Sequence, residues 1–208
     1  MSVFVPLHQA QDQPLDHALA PLRADDAIES QRARVWALLE EVCDPEIPVI
    51  SLRDLGVVRD VRWSGSHWQV MITPTYSGCP AMEQMADDIV ARLSAAGLPV
   101  QVQTQLAPAW STDWISAQGR EKLRAYGIAP PAARAAMTGQ PEPGSAPDSQ
   151  PGSARVLRFM PRPANWVVAC PRCGSQDTSE ISHFGSTACK ALYRCLSCRE
   201  PFDHFKPY

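Results

Sequence analysis

The stretch CPRCGSQDTSEISHFGSTACKALYRCLSC, residues 170–198, decides the fold of the C-terminal part of the chain. It begins and ends with a C-x-x-C pair, Cys170 with Cys173 and Cys195 with Cys198. Each pair can present two thiolates to one ion, and two pairs joined by a short hairpin complete a tetrahedral sulfur site. One structural zinc ion is expected, because four thiolates leave no open position for catalysis. The intervening residues alternate and include aromatic side chains, so we predict a zinc ribbon.

Two other interpretations of these cysteines are weaker. A segment of about forty residues cannot bury enough apolar surface to fold unaided, so disulfides or simple core packing explain the cysteines less well than a metal ion does. Iron in a rubredoxin-type site would suit C-P-R-C-G at residues 170–174, but the second pair, C-L-S-C, lacks the same Pro and Gly.

Proline content divides the rest of the chain. Eight prolines fall between Pro130 and Pro163, in a stretch with almost no large apolar residues, which is typical of a disordered linker. Such a linker lets two domains move independently unless an interface fixes them. We therefore predict four parts, namely a flexible tail at 1–25, an α/β domain at 26–129, a Pro/Gly/Ser/Ala-rich linker at 130–164 and the zinc ribbon at 165–208.

The first domain has a periodic pattern that predicts an α-β-β-α-β order and a mixed sheet, followed by a further helix. The turn-forming sequence Ser64-Gly65-Ser66-His67 separates two alternating apolar runs and indicates a β-hairpin. The predicted elements are a helix from residue 25 or 26 that ends by Pro45, strands at 57–63 and 68–72, a helix that starts at or just after Cys79, a strand at 100–106 and a helix at 115–126.

Cys79 lies between Gly78 and Pro80, at the start of the second predicted helix. Backbone N–H groups at a helix N-terminus stabilise a thiolate and lower the thiol pKa, which would make Cys79 a good nucleophile or soft-metal ligand. A single cysteine is also consistent with a small packing residue. Asp44 and Glu46 follow the first helix in D-P-E-I-P and are typical turn formers. Beside Cys79 their charges would raise the thiol pKa, and the sequence leaves the sign open.

Charge and hydropathy exclude several classes. The net charge of −3 and pI near 5.9, with no basic excess in the ribbon, disfavour nucleic-acid binding. We find no secretory signal pattern and no apolar stretch long enough for a membrane span. Seven cysteines, an odd number, with two C-x-x-C pairs indicate metal binding in a reducing compartment, so we expect a cytoplasmic protein.

Longer motifs resemble known families. D-P-E-I-P at residues 44–48, the hairpin, and T-P-T-Y-S-G-C-P-A-M at residues 73–82 resemble the small domain of cytosolic iron–sulfur assembly factors, including SufT-like proteins. Joined through a Pro-rich linker to F-G-S-T-A-C-K-A-L-Y-R-C-L-S-C-R-E-P-F-D-H-F-K at residues 184–206, the chain resembles the PaaD (PaaJ) family, the D subunits of the phenylacetyl-CoA epoxidase system.

The resemblance implies an accessory role in phenylacetate degradation. In that system a multicomponent oxygenase epoxidises the ring of phenylacetyl-CoA, and the D protein is not its catalytic subunit. Resemblance to assembly factors implies maturation of the oxygenase di-iron site or the reductase iron–sulfur cluster, with these subunits as partners and iron or a cluster held transiently. Cys79, Asp44 and Glu46 match the assembly signature. A scaffold that binds oxygenase subunits without handling iron is the alternative, and a thiol enzyme is weaker because no histidine lies near Cys79 in sequence.

Several residues stay undecided at this point. Cys189, between the two pairs, is a spare thiol, a packed residue or a second soft ligand. We predict that His183 and His204 are surface residues, since four cysteines already satisfy the metal. Trp110 and Trp114 either close the core, which the pattern favours, or form a partner surface.

Overall fold

The computed structural model describes residues 24–131 and 167–207. The predicted N-terminal tail and most of the predicted linker lie outside these residues. The four domain boundaries given above therefore stay predictions.

The first half of the chain folds as the sequence predicts. Helix α1 (Ala24–Leu39) has Asp25 and Asp26 in its first turn, where carboxylates favour the positive end of the helix dipole. The hairpin strands are β1 (Val58–Trp63) and β2 (Trp68–Ile72), which pair antiparallel across the predicted turn. Helix α2 (Met82–Ala95) follows, and β3 (Val100–Thr104) pairs parallel to β2.

The mixed sheet has the order β1-β2-β3. Helices α1 and α2 contact each other, and they contact β1 and β3 respectively. The core between helices and sheet is almost completely shielded from solvent, and each such aliphatic side chain contributes about 1.5–3 kcal/mol of transfer free energy. Its fully buried members include Val35, Leu39, Val61, Val70, Ile72, Ile89 and Leu93.

A short helical segment connects the first domain to the second sheet. Helix α3 (Ala117–Tyr126) is capped by the Ser116 hydroxyl, which accepts the Gly119 N–H at 2.8 Å. Gly127 ends the helix with φ 95°, a left-handed conformation that glycine adopts without steric cost. The chain then enters strand β4 (Ile128–Ala129) directly.

The second sheet is the predicted ribbon with one additional strand. Strands β5 (Thr178–Ser182), β6 (Lys190–Cys195) and β7 (Pro201–Phe205) pair antiparallel in sequence order. Strand β4, which precedes the predicted linker, pairs parallel with β7, so the sheet order is β4-β7-β6-β5. The sequence did not predict this pairing.

An apolar interface joins the ribbon to the first domain. Phe205 of β7 is fully buried and belongs to the core of the first domain. The Trp110 indole N–H donates to the Leu55 carbonyl oxygen at 3.1 Å, and Trp110 is 4 % exposed. The prediction that Trp110 closes the core is confirmed. Trp114 is half-buried, with the Arg59 guanidinium 3.4 Å from its ring centre.

The predicted fold class, α/β with a mixed sheet and a C-terminal ribbon, is confirmed. The prediction that His204 is a surface residue is wrong. It is 3 % exposed, with Nδ1 3.1 Å from the Ala129 carbonyl oxygen, because β4 covers that edge of β7. His183 is exposed and lies 3.3 Å from the Glu180 carboxylate. Among the described residues, no helix is both long and apolar enough to cross a membrane.

Candidate functional site

The four ribbon cysteines meet at one end of the second sheet. Cys170 and Cys173 lie on a turn closed by the Gly174 N–H, which donates to the Cys170 carbonyl oxygen at 2.9 Å. Cys195 ends β6, and Cys198 lies in the turn that leads to β7. The four sulfur atoms all lie within 4.8 Å of one another. This is the metal-binding group that the C-x-x-C spacing predicts.

The sulfur positions fit a tetrahedral metal site. The Cys170 and Cys198 sulfur atoms are 3.8 Å apart, and those of Cys173 and Cys195 are 3.5 Å apart. A Zn–S bond of about 2.3 Å requires sulfur atoms about 3.8 Å apart in a tetrahedron. The Cys198 backbone N–H donates to the Cys195 sulfur at 3.4 Å and lowers the pKa of Cys195, which favours the thiolate that a metal binds. All seven cysteines of the chain are free thiols, so disulfides do not account for these pairs.

The D-P-E-I-P loop follows α1 and contains a buried carboxylate. Asp44 is 6 % exposed, and its Oδ1 accepts the Glu46 N–H at 2.8 Å and the Ile47 N–H at 2.9 Å. Burial raises the pKa of Asp44, although these hydrogen bonds and the charge of Lys190 act against it. Asp44 therefore shapes the loop, as a turn former does, and leaves Glu46 exposed at its tip.

Cys79 lies half-buried on the loop between β2 and α2. Burial raises the pKa of the Cys79 thiol, the Ala81 and Met82 backbone N–H groups lower it, and the Asp44 and Glu46 charges raise it, with a net increase. The prediction of a depressed pKa is therefore wrong. The helix N-terminus does donate to the sulfur, but desolvation and two nearby carboxylates outweigh it.

The structure adds two residues to this site that the sequence did not assign to it. Burial raises the pKa of the Tyr76 phenol, and so do the charges of Cys79, Cys189 and Glu46. Burial likewise raises the pKa of Cys189, with further increases from Asp44 and Glu46 that outweigh a hydrogen bond from Thr187 and the charge of Lys190. Tyr76 and Cys189 thus lie within electrostatic range of the same carboxylates as Cys79.

Local sequence carried a signal for Tyr76 but not for Cys189. The Tyr76 ring folds back over Gly78, where a Cβ atom would lie 3.3 Å from the ring, so Y-S-G-C is a compact unit in which only a glycine fits. Cys189 reaches the site only because the ribbon packs on the first domain. Its spacing from the knuckles indicated that the ribbon metal does not need it, and nothing more.

Comparison with known proteins accounts for both halves of the chain. The family model described as iron–sulfur cluster assembly protein matches residues 32–104, and the model described as PaaD zinc beta ribbon domain matches residues 158–206. The D component of the 1,2-phenylacetyl-CoA epoxidase of Escherichia coli (strain K12) is 49% identical over 173 residues, which cover 83% of this chain and 90% of that relative. The chain belongs to the PaaD family of epoxidase D components.

Solved structures resemble the first half of this PaaD-family chain. The DUF59 domain of unknown function from Bacillus anthracis is 28% identical, with a TM-score of 0.43, and the match covers 47% of this chain and 94% of that domain. A Mycobacterium tuberculosis protein described as associated with Fe–S complex assembly and repair is 31% identical, with a TM-score of 0.28, over 48% of this chain and 87% of that protein.

The two family models place the site residues of this PaaD-family chain in different halves. Cys79, Asp44 and Glu46 fall within the iron–sulfur assembly match, and Cys189 and the four metal-binding cysteines fall within the ribbon match. Helix α3 and strand β4 lie between the two matched ranges. The segment that neither model covers is therefore the one that joins the two halves in space.

Proposed function

We propose that this PaaD-family chain is a non-catalytic accessory factor that helps to assemble or deliver the metal cofactor of the phenylacetyl-CoA epoxidase. The observation that carries the proposal is the position of Cys79. A half-buried thiol lies in range of the carboxylates of Asp44 and Glu46, in a domain that matches iron–sulfur cluster assembly proteins.

The chemistry of this site suits iron held for a short time. Thiolate and carboxylate oxygen together are good ligands for iron. The raised pKa of Cys79 keeps the thiol protonated at neutral pH, so an ion must displace a proton in order to bind. Such a site binds more weakly than one made of preformed thiolates, and it releases its ion more readily to a partner.

A thiol enzyme is a poorer explanation of Cys79. In the part of the chain that the structure describes, the histidines have other contacts. His67 lies in the β1–β2 turn beside Ser64 and Gln101. His204 lies against the Ala129 carbonyl oxygen, and His183 lies beside Glu180. A general base for Cys79 would have to come from elsewhere.

The ribbon has a structural role in this proposal. One zinc ion bound by Cys170, Cys173, Cys195 and Cys198 would make the ribbon rigid, so that it can dock on the oxygenase or reductase subunits. We place the protein in the cytoplasm, where a reducing environment keeps its seven free thiols from forming disulfides.

A scaffold that handles no iron is the second candidate. Strand β5 is an edge of the ribbon sheet, and the adjoining side chains of Ile181 and Phe184 are 55 % and 64 % exposed. An exposed edge strand with apolar side chains can pair with another chain. This surface favours a binding role that would not depend on Cys79.

The test is epoxidase maturation in cells that carry the wild-type chain, Cys79→Ser or the control Cys43→Ser. Cys43 is a half-buried free thiol on the first domain. We expect Cys79→Ser to lower the iron content and activity of the purified oxygenase and reductase, and Cys43→Ser to leave both unchanged. Full maturation with Cys79→Ser would overturn the thiol role and favour the scaffold.

A further inference from the structure

Cys189 has a position that its place in the ribbon does not explain. The ribbon has its own apolar core, which does not include Cys189. Cys189 is 8 % exposed and instead packs in the core of the first domain, against which Tyr76 and Cys79 also pack. The ribbon thus presents this thiol to the first domain rather than to its own metal site. The members of the ribbon core are Ala129, Val168, Cys170, Ala191, Tyr193, Cys195 and Phe202.

Several contacts hold the Cys189 sulfur in place. The Thr187 hydroxyl lies 3.0 Å from the sulfur, and the Lys206 backbone N–H donates to the Cys189 carbonyl oxygen at 2.9 Å. The next residue, Lys190, is 5 % exposed and pairs with Asp203 at 3.2 Å. Lys190 also attracts the Asp44 carboxylate electrostatically, which favours docking of this part of the ribbon on the D-P-E-I-P loop.

We propose that Cys189 is a second sulfur ligand of the Cys79 site, and that the two thiolates and the Glu46 carboxylate bind one ferrous ion at the interface of domain and ribbon. This inference rests on the function proposed above. Three separate segments of the chain supply the ligands, and neither half of the protein contains the complete set.

Electrostatics support a cation at this position. Asp44 and Glu46 act on both thiols, and the two thiols act on Tyr76. With both cysteines ionised, the site would hold four negative charges, and Lys190 is the cation that acts on this group. A divalent ion offsets that repulsion, and two sulfur ligands with one carboxylate suit a borderline metal such as Fe²⁺.

The ligand set is looser than that of the ribbon metal. Within residues 24–131 and 167–207, the ribbon cysteines are the one group that brings three or more such ligand atoms within 4.8 Å of one another. Cys79, Cys189 and Glu46 must therefore move together when the ion binds. Glu46 and Lys190 line a cleft of about 400 Å³ through which an ion can enter. Binding breaks two S–H bonds, forms two Fe–S bonds and releases two protons to water, and the iron stays ferrous.

The test is anaerobic titration of the full-length, zinc-loaded chain with Fe²⁺ alone. Wild type, Cys79→Ser, Cys189→Ser and the control Cys43→Ser are compared by iron per chain and by competition for iron. We expect one Fe²⁺ per wild-type chain, an association constant at least about a hundredfold lower in both site variants, since even outer-shell substitutions cost 10–100-fold, and no change in Cys43→Ser. Unchanged zinc content and circular dichroism establish that each variant is folded.

A second measurement does not depend on any variant. Fe²⁺ should protect both Cys79 and Cys189 of the wild-type chain from iodoacetamide, as measured by mass spectrometry of the two peptides, and should leave Cys43 unprotected. Loss of iron binding in Cys79→Ser but not in Cys189→Ser, with protection of Cys79 alone, would overturn this inference and leave the proposed function intact. Absence of iron binding by the wild-type chain would overturn this inference, and the maturation assay of Cys79→Ser then decides the proposed function separately.

Discussion

The indole ring of Trp110 packs against the ring of Phe205, with the ring centroids 5.8 Å apart and the planes tilted by 50°. Trp110 follows the last strand of the first sheet, and Phe205 ends the last strand of the second. Aromatic pairs at this separation contribute about 0.5–1.5 kcal/mol beyond their burial. This contact helps to fix where the ribbon, and hence Cys189, lies relative to Cys79.

Phe205→Ala should destabilise the whole protein. The side chain is fully buried in the core of the first domain, so its loss leaves a cavity that costs about 3–5 kcal/mol. The measurement is the free energy of unfolding in urea. Phe184→Ala is the matched control, because Phe184 is 64 % exposed, and we expect it to change that free energy by about 0.5 kcal/mol or less. Equal effects of the two substitutions would show that the ribbon does not pack on the domain.

Removal of the ribbon metal should lower the unfolding temperature of both halves. Cys173→Ala deletes one ligand of the four-sulfur group, and a structural zinc ion contributes on the order of 10 kcal/mol to the folding of small zinc domains. Because Phe205 and Cys189 of the ribbon complete the core of the first domain, that domain loses stability as well. Zinc content and calorimetry measure the two effects. A first domain that melts at the same temperature in Cys173→Ala and wild type would contradict the shared core.

Cys79 should react slowly with iodoacetamide in the iron-free protein at neutral pH. Burial and the carboxylates of Asp44 and Glu46 raise its pKa, so less thiolate is present than for an ordinary thiol, and the rate should rise as the pH is increased. Glu46→Gln removes one of these charges and should move the rate profile to lower pH, where a shift of one unit changes the thiolate fraction about tenfold. Glu29→Gln, on α1 with a side chain 71 % exposed, should leave the profile unchanged. A profile of Glu46→Gln identical to wild type would refute the electrostatic coupling.

Asp54 should stabilise the protein at neutral pH and lose that effect in acid. Burial raises the pKa of Asp54, but hydrogen bonds from Lys122 at 2.6 Å and from Ser116 at 2.5 Å outweigh it and leave the pKa below its usual value. A lowered pKa in the folded state means that the stabilisation is present above the unfolded pKa and lost as the pH falls through the folded one.

Melting temperatures of wild type and Asp54→Asn measure this dependence. The difference between them should be present at pH 7 and should shrink as the pH falls below the ordinary aspartate range. Asp87→Asn, on the exposed face of α2, controls for the loss of one negative charge. A difference between wild type and Asp54→Asn that stays constant from pH 7 to strongly acidic solution would rule out the titration of Asp54 as its cause.

Features set by neighbouring residues could be predicted from the sequence, and features set by distant contacts could not. The hairpin follows from a turn at Ser64 to His67 between alternating strands, and the metal-binding group follows from the spacing of two C-x-x-C pairs. The burial of His204 depends on Ala129, which is 75 residues away in the chain. The pKa of Cys79 was equally out of reach, because its direction depends on how far the carboxylates of another loop outweigh the helix N-terminus.

The two-residue strand β4 gives the ribbon a neighbour along its otherwise open side. If the ribbon were cut away from the first domain, β7 would have unpaired backbone N–H and C=O groups along that edge, and Phe205 would be bare to water. Exposed strand edges with apolar side chains attract other copies of the same chain. A ribbon fragment expressed on its own is therefore expected to self-associate even when fully loaded with metal, and experiments on its binding to partners would need the covering residues 110–129 in the same polypeptide.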